Sequence, residues 1–156
     1  MNKISAILLL GITLLSADTL KVSSSLSELN NYKYETPHKR PVKVPKTTEL
    51  VVFAFEKDTG AIVNEYLNTQ SPFYMPKHKA VFIADINRMP SIITKMFALP
   101  KMQKYKHPVF LHYSDQLELF IPHQEERLTL ARFKEGKVES IRYITTTAEL
   151  KEAIEK

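Results

Sequence analysis

Cysteine is absent from all 156 residues. That removes disulfide staples, thiolate metal ligands, a cysteine nucleophile and thiol–disulfide exchange, which needs a nucleophilic thiolate. Glycine is almost as scarce, at three residues. No Gly-x-Gly-x-x-Gly run exists, so the fingerprint of a dinucleotide-binding turn is missing. No apolar run reaches the roughly 20 residues that span a bilayer as a helix. Charge of one sign does not dominate either. The net charge of +5 is mild; it suits anionic surfaces or acidic partners, and no nucleic-acid-binding module accompanies it.

What is present begins with an address. Lys3 precedes an apolar stretch over residues 4–15, and the small residue Ala17 follows. This is the pattern of a secretory signal peptide over residues 1–17, with the periplasm as destination. No cysteine follows the stretch, so lipid attachment there has no acceptor. The chain from Asp18 onward keeps a net charge of +4. It is long enough to bury a core without staples.

Residues 18–30, DTLKVSSSLSELN, are serine-rich and weakly patterned, which predicts a loosely held arm. In YKYETPHKRPVKVPKTTE (32–49), Pro37, Pro41 and Pro45 alternate with lysine and arginine. Proline fixes its own φ and extends its predecessor. Residues 18–47 therefore read as an extended, Pro/Lys-rich N-terminal arm, with an edge strand near 42–44.

From residue 48 to 156 the pattern is that of one α/β domain. LVVFAF (50–55) and AVFIAD (80–85) are continuous apolar runs of the kind that form buried parallel strands. EKDTG reads as a turn, and AIVNEYL (61–67) has helical spacing through Ile62, Val63, Tyr66 and Leu67. Pro90 suits a helix start, and Ile92, Ile93, Met96, Phe97 and Leu99 are expected to form that helix's buried face until Pro100 ends or kinks it. PVFLHY (108–113) is a third strand. LTLARF and VESIRYI form a hairpin around Gly136, with one irregularity that reads as a bulge. Thr146 and Glu149 have capping-box spacing for a last helix whose stripe is Leu150, Ala153 and Ile154.

The resulting order, β-α-β-α-β followed by a β-hairpin and a helix, resembles the thioredoxin-like fold, in particular its peroxiredoxin and thiol-reductase branch. HPVFLHYSD (107–115) and LTLARFKEGKVESI (128–141) carry that resemblance. ADINRMPSIITKMFALPKM and FEKDTGAIVNEYL are similar to small, secreted, cysteine-less proteobacterial members of the group. The resemblance implies a three-layer fold with a mixed central sheet of about five strands flanked by helices. It also implies that the redox motif would fall at EKDTGAI, where no Cys-x-x-Cys stands. The group's cis-proline would fall within QEERLTL, where there is no proline. Some such chains carry a flavin-dependent label, which makes FAD or FMN the cofactor the resemblance suggests; the residues themselves indicate none.

Candidate functional residues follow from position. Glu56, Lys57, Asp58 and Thr59 occupy the turn where relatives hold their active site, and Asp58 or Thr59 is placed to cap the first helix. Arg88 follows the second strand at the same sheet end, and His107 precedes the third. Asp58, Thr59 and His107 are also the residues a hydrolytic site would use, though no nucleophile elbow is present. Met75, His78, Met89, Met96, Met102, His107 and His112 offer soft sulfur and imidazole donors; Met89, Met96, His107 and His112 are the copper alternative. Phe73, Tyr74 and Met75 in SPFYMP, and Phe120 and Ile121 in ELFIPHQEER, either close the core or meet a partner. If buried, the latter pair is expected to form a short strand. The reading that results is a periplasmic binding or accessory domain without redox cysteines, whose partner is an envelope protein or a small ligand.

Overall fold

The chain is described by a computed structural model covering residues 18–156. The segment assigned to a signal peptide lies outside the described residues. Among the described residues, no helix is long and apolar enough to cross a membrane.

The sheet is built on three central strands: β3 (Leu50–Ala54), β4 (Ala80–Asp85) and β5 (Phe110–His112). β3 pairs in parallel with β4, and β4 with β5. The apolar runs alternate between two cores. Leu50, Val52 and Ala54 face one, while Val51 and Phe53 face the other, as the two-residue period of a strand demands. β6 (Leu128–Lys134) and β7 (Lys137–Ile144) form the hairpin, and β6 pairs antiparallel with β3. Glu135 and Gly136, at φ 52° and 74°, make the two-residue turn whose twist matches the strands. The irregularity is a β-bulge, with register shifting so that Arg132 faces Ser140 and Phe133 faces Val138.

The sheet has seven strands, not about five. The two additional ones come from the N-terminal segment: β1 (Tyr34–Glu35) pairs with β5, and β2 (Pro41–Val42) pairs with β1. The strand order is β2-β1-β5-β4-β3-β6-β7. Residues 18–30, expected to be loose, are pinned. Leu20, Leu26 and Leu29 are buried in the second core. The backbone bonds reciprocally to β7 through Ser23 N–H to Val138 O and Val138 N–H to Ser24 O, both 2.9 Å. Ser25 and Glu28 close a capping box on the 3-10 turn Leu26–Asn31. Asn30 clasps the Val44 backbone through both its amide nitrogen and its oxygen. Serine richness concealed three well-spaced leucines.

The first face of the sheet is covered by α1 (Lys57–Asn68), α2 (Tyr74–Lys77), a long rod and α6 (Thr147–Glu155). The rod comprises α3 (Ser91–Ile93), a π-helical stretch Thr94–Ala98 and α4 (Leu99–Met102). The second face is covered by the N-terminal segment and α5 (Gln116–Phe120). Phe120 and Ile121 are buried, but α5 carries Phe120 where a strand was expected. Tyr74 and Met75 are core residues, whereas Phe73 is exposed. The capping box of Thr146 and Glu149 is formed.

The rod departs most from its expected form. Of its predicted buried face only Leu99 is buried; Ile92, Ile93, Met96 and Phe97 are exposed. Pro100 supplies the reason. It has no N–H for the carbonyl four residues back, and its ring crowds that carbonyl. A π turn relieves the clash: the Leu99 N–H bonds to Thr94 O, five residues back. The extra residue rotates the helix, so Thr94 and Leu99 become the inward pair. Pro100 therefore neither ends the helix nor leaves its phase unchanged.

Candidate functional site

Parallel strands leave a crevice at their carboxyl ends, where the chain turns into helices. Here the crevice is a cleft of about 660 Å³ between α1 and the rod. That volume lies within the usual range for small-molecule sites. The hollow exists because small side chains line it: Ala54, Gly60, Ala61, Ala84 and Ala98. Phe55, Ile86, Met89, Ile93, Phe97 and Met102 supply larger apolar walls, and Glu56, Lys57, Asn64, Asp85, Arg88, Lys101 and Tyr105 supply polar groups.

α1 begins earlier than its apolar spacing indicates, at Lys57. The stretch EKDTG is thus the first turn of the helix and not a preceding loop. Glu56 is the N-cap in extended conformation, and its side chain makes no capping bond. Neither Asp58 nor Thr59 caps. Asp58 is exposed in the first turn, and the buried Thr59 donates its hydroxyl to Glu56 O at 3.0 Å. Glu56 instead accepts the Glu126 backbone N–H at 3.0 Å. This contact ties the start of α1 to the loop ahead of β6, where Glu126 sits at φ 58°.

Of the functional candidates singled out in the sequence, Glu56, Lys57, Arg88, Met89 and Met102 meet at the cleft. Arg88 is engaged with Glu118 of α5, and this pair holds the Glu118 carboxyl below its ordinary range. Asp58, Thr59, Met96, His107 and His112 are not among the lining residues. His107 is buried one layer behind. Its Nε2 pairs with Asn64 Oδ1 at 2.9 Å, and its ring stacks on Tyr105. Its Nδ1 is buried without a partner. Desolvation pushes His107 down to about 4, so it is a neutral imidazole at physiological pH. His112 has both nitrogens occupied, by Lys33 O and Ser114 Oγ, each at 2.9 Å. Met75 packs in the core, Met102 flanks it, and His78 bonds to Tyr74 O. The copper alternative is thereby spread over the cleft rim, the outer face of the rod, a layer behind the cleft and the far side of β5. Among the described residues no three His, Cys, Asp or Glu side chains form a metal-holding group.

Sequence reasoning missed Asp85. It ends β4, is buried, and lines the cleft. Oδ1 accepts the Asn87 N–H at 2.8 Å, while Oδ2 is buried without a partner. Burial raises its pKa, against the lowering effect of the Asn87 bond and His112. The signal was available: Asp85 is the one polar residue of AVFIAD, at the carboxyl end of a parallel strand. A raised carboxyl pKa means that the folded state holds its proton more tightly than the unfolded chain. Ionising Asp85 therefore costs stability as pH rises through the folded value, and the penalty is absent below the ordinary value near 3.8. Asp85→Asn is expected to raise stability at pH 7 by on the order of 1 kcal/mol. The gain should fade toward pH 3 in denaturant titrations run at both pH values. A variant no more stable than wild type at pH 7 would mean Asp85 is compensated.

The sequence matches no protein-family model and no curated protein. Solved structures do match. A PrxQ mutant from Xylella fastidiosa superposes with TM-score 0.56 at 10% identity, over 88% of this chain and 95% of that one. A thioredoxin-like protein from Porphyromonas gingivalis gives 0.54 at 12%, over 85% and 92%. StoA from Bacillus subtilis gives 0.50 at 14%, over 78% and 94%. The fold is thioredoxin-like. At these identities the likeness establishes architecture alone. In this thioredoxin-like chain the carboxyl end of the parallel strands carries a cleft and no thiol.

Proposed function

We propose that the chain is a ligand-binding or accessory domain of the cell envelope that works through this cleft without thiol chemistry. The observation that carries the reading is the hollow itself. The pocket lies at the first turn of α1, and small residues keep it open between large apolar walls, with polar groups at its edge. Tight packing is the rule in protein interiors, so a chain that keeps such a volume open at the crevice of its sheet has a use for it. Assignment to the periplasm rests on the N-terminal signal pattern.

The test is saturable binding of an uncharged apolar dye. Nile red is expected to bind one-to-one with enhanced fluorescence. Ala98→Trp, which fills the cleft, should weaken it at least tenfold while leaving the melting temperature within a few degrees. Equal binding by the variant would place the apolar site elsewhere. The visible spectrum of protein isolated from its native compartment separates the alternative of a bound flavin: yellow colour with flavin absorbance would replace an accessory role with cofactor-dependent chemistry.

A further inference from the structure

The outward turn of the rod has a consequence beyond the cleft. Ile92, Ile93, Met96 and Phe97 stand at i, i+1, i+4 and i+5, the spacing of one helical face. They remain 62%, 42%, 63% and 63% exposed. Isolated exposed apolar residues are ordinary, but four large ones on one helical stripe mark an interaction surface. Ile93 and Phe97 also line the cleft, whereas Ile92 and Met96 do not. The apolar surface thus continues past the rim onto the outer side of the helix, farther than a cleft ligand would cover.

Charge identifies what covers it. From Ile86 to Ser114 the sequence contains no Asp or Glu, but has Arg88, Lys95, Lys101, Lys104 and Lys106. Arg88 is taken by Glu118. The four lysines are exposed and lack carboxylate partners among the described residues. A helix with a projecting apolar stripe and lysines around it fits the boundary of an anionic bilayer. The apolar side chains enter the acyl region there, while the lysine heads stay with the lipid phosphates. A bilayer also needs no shape complementarity to an outward-facing stripe, unlike a folded partner.

We propose that the rod 91–102 is a docking face for a membrane surface rich in anionic phospholipid. It shares Ile93 and Phe97 with the cleft rim and extends beyond it through Ile92 and Met96.

The test is co-sedimentation of Asp18–Lys156, which holds every element described above, with vesicles. One set contains phosphatidylglycerol and phosphatidylethanolamine; the other is phosphatidylcholine. Binding is expected to be at least tenfold tighter to the anionic set and to weaken as salt rises. Ile92→Ser/Met96→Ser, at two positions outside the cleft lining, should reduce it at least tenfold. Lys95→Glu/Lys104→Glu should remove the preference for anionic lipid. All four positions are exposed, so circular dichroism and melting should be unchanged. Equal binding to both vesicle sets overturns the proposal, as does binding unaffected by the Ile92/Met96 changes. Absence of binding also overturns it. In that case, a dimer in sedimentation velocity lost in Ile92→Ser/Met96→Ser would give the face to a second copy. Retention on an immobilised Glu/Leu peptide would give it to an acidic polypeptide. Nile red binding in the cleft is scored separately, so the binding-domain reading can survive when this one fails.

Discussion

Deleting residues 18–47 is expected to abolish cooperative folding, and Leu29→Ala alone to cost about 2–5 kcal/mol in denaturant titration. Leu29 is completely buried, and Tyr34 donates its hydroxyl to the Leu29 carbonyl at 2.7 Å. The segment contributes Leu20, Leu26, Leu29, Tyr34 and Val44 to the core that covers Val51, Phe53, Val81, Ile83, Ala131, Phe133 and Val138. Fully burying one large apolar side chain is worth roughly 1.5–3 kcal/mol. Uncovering half of that face costs about 5–10 kcal/mol at this rate, comparable with the roughly 5–15 kcal/mol that separates an ordinary domain from its unfolded state. α5 shields only part of the face, through Leu117 and Phe120. A truncated chain that keeps a sharp unfolding transition would show that residues 18–47 are a dispensable cover. An unchanged midpoint in Leu29→Ala would show the same locally.

Acid is expected to destabilise the protein through His107. Its ordinary pKa is near 6.5, and burial lowers it to about 4 in the folded state. The unfolded chain then takes up a proton at a pH where the folded state does not. The His107 contribution to stability is therefore complete above about pH 6.5, falls as pH drops through the window from 6.5 to about 4, and is lost below it. A separation of that size corresponds to roughly 3 kcal/mol. Asp85 works in the opposite direction at the acid end, because its raised pKa favours folding as it protonates. Asp85→Asn removes that opposing contribution, so the His107 loss is read in this background. His107→Gln, which can still reach Asn64, is expected to flatten the profile there. An Asp85→Asn stability that stays level from pH 7 to 5 would show that water or a counter-charge reaches the Nδ1 side.

The fold was legible in the sequence wherever a periodicity had one meaning. The apolar runs at 50–55 and 80–85, the hairpin around Gly136 and the capping box at Thr146 all became the elements their patterns indicate. What was hidden follows one physical theme. At the N-terminus, leucines separated by serines did not reveal that a 3-10 turn would bury Leu26 and Leu29, nor that two very short strands would follow it. In the rod, a π turn rephases the α-helical period, so that of Ile92, Ile93, Met96, Phe97 and Leu99 only Leu99 is buried. Pro100 was visible, but a proline announces a break and does not say which helical hydrogen-bond pattern absorbs it.

The candidate site was half legible. The sheet end was identified from element order, and Glu56, Lys57, Arg88 and Met89 do line the cleft there. The floor was not. Ala54, Ala61, Ala84 and Ala98 look like ordinary packing residues in a sequence, and only three dimensions show that together they leave a hollow. Asp85 was concealed by its apolar neighbours. The Asn64–His107 pair joins residues 43 positions apart, a contact no local pattern contains.

We propose that the crevice between α1 and the rod is where this thiol-free domain takes its ligand. Amide chemical shifts recorded through the Nile red titration decide it. The largest changes are predicted at Gly60 and Ala61, Ile86 and Met89, and Ile93 through Ala98, with β6 and β7 unmoved. Changes centred on the hairpin, or spread evenly over the domain, would contradict it.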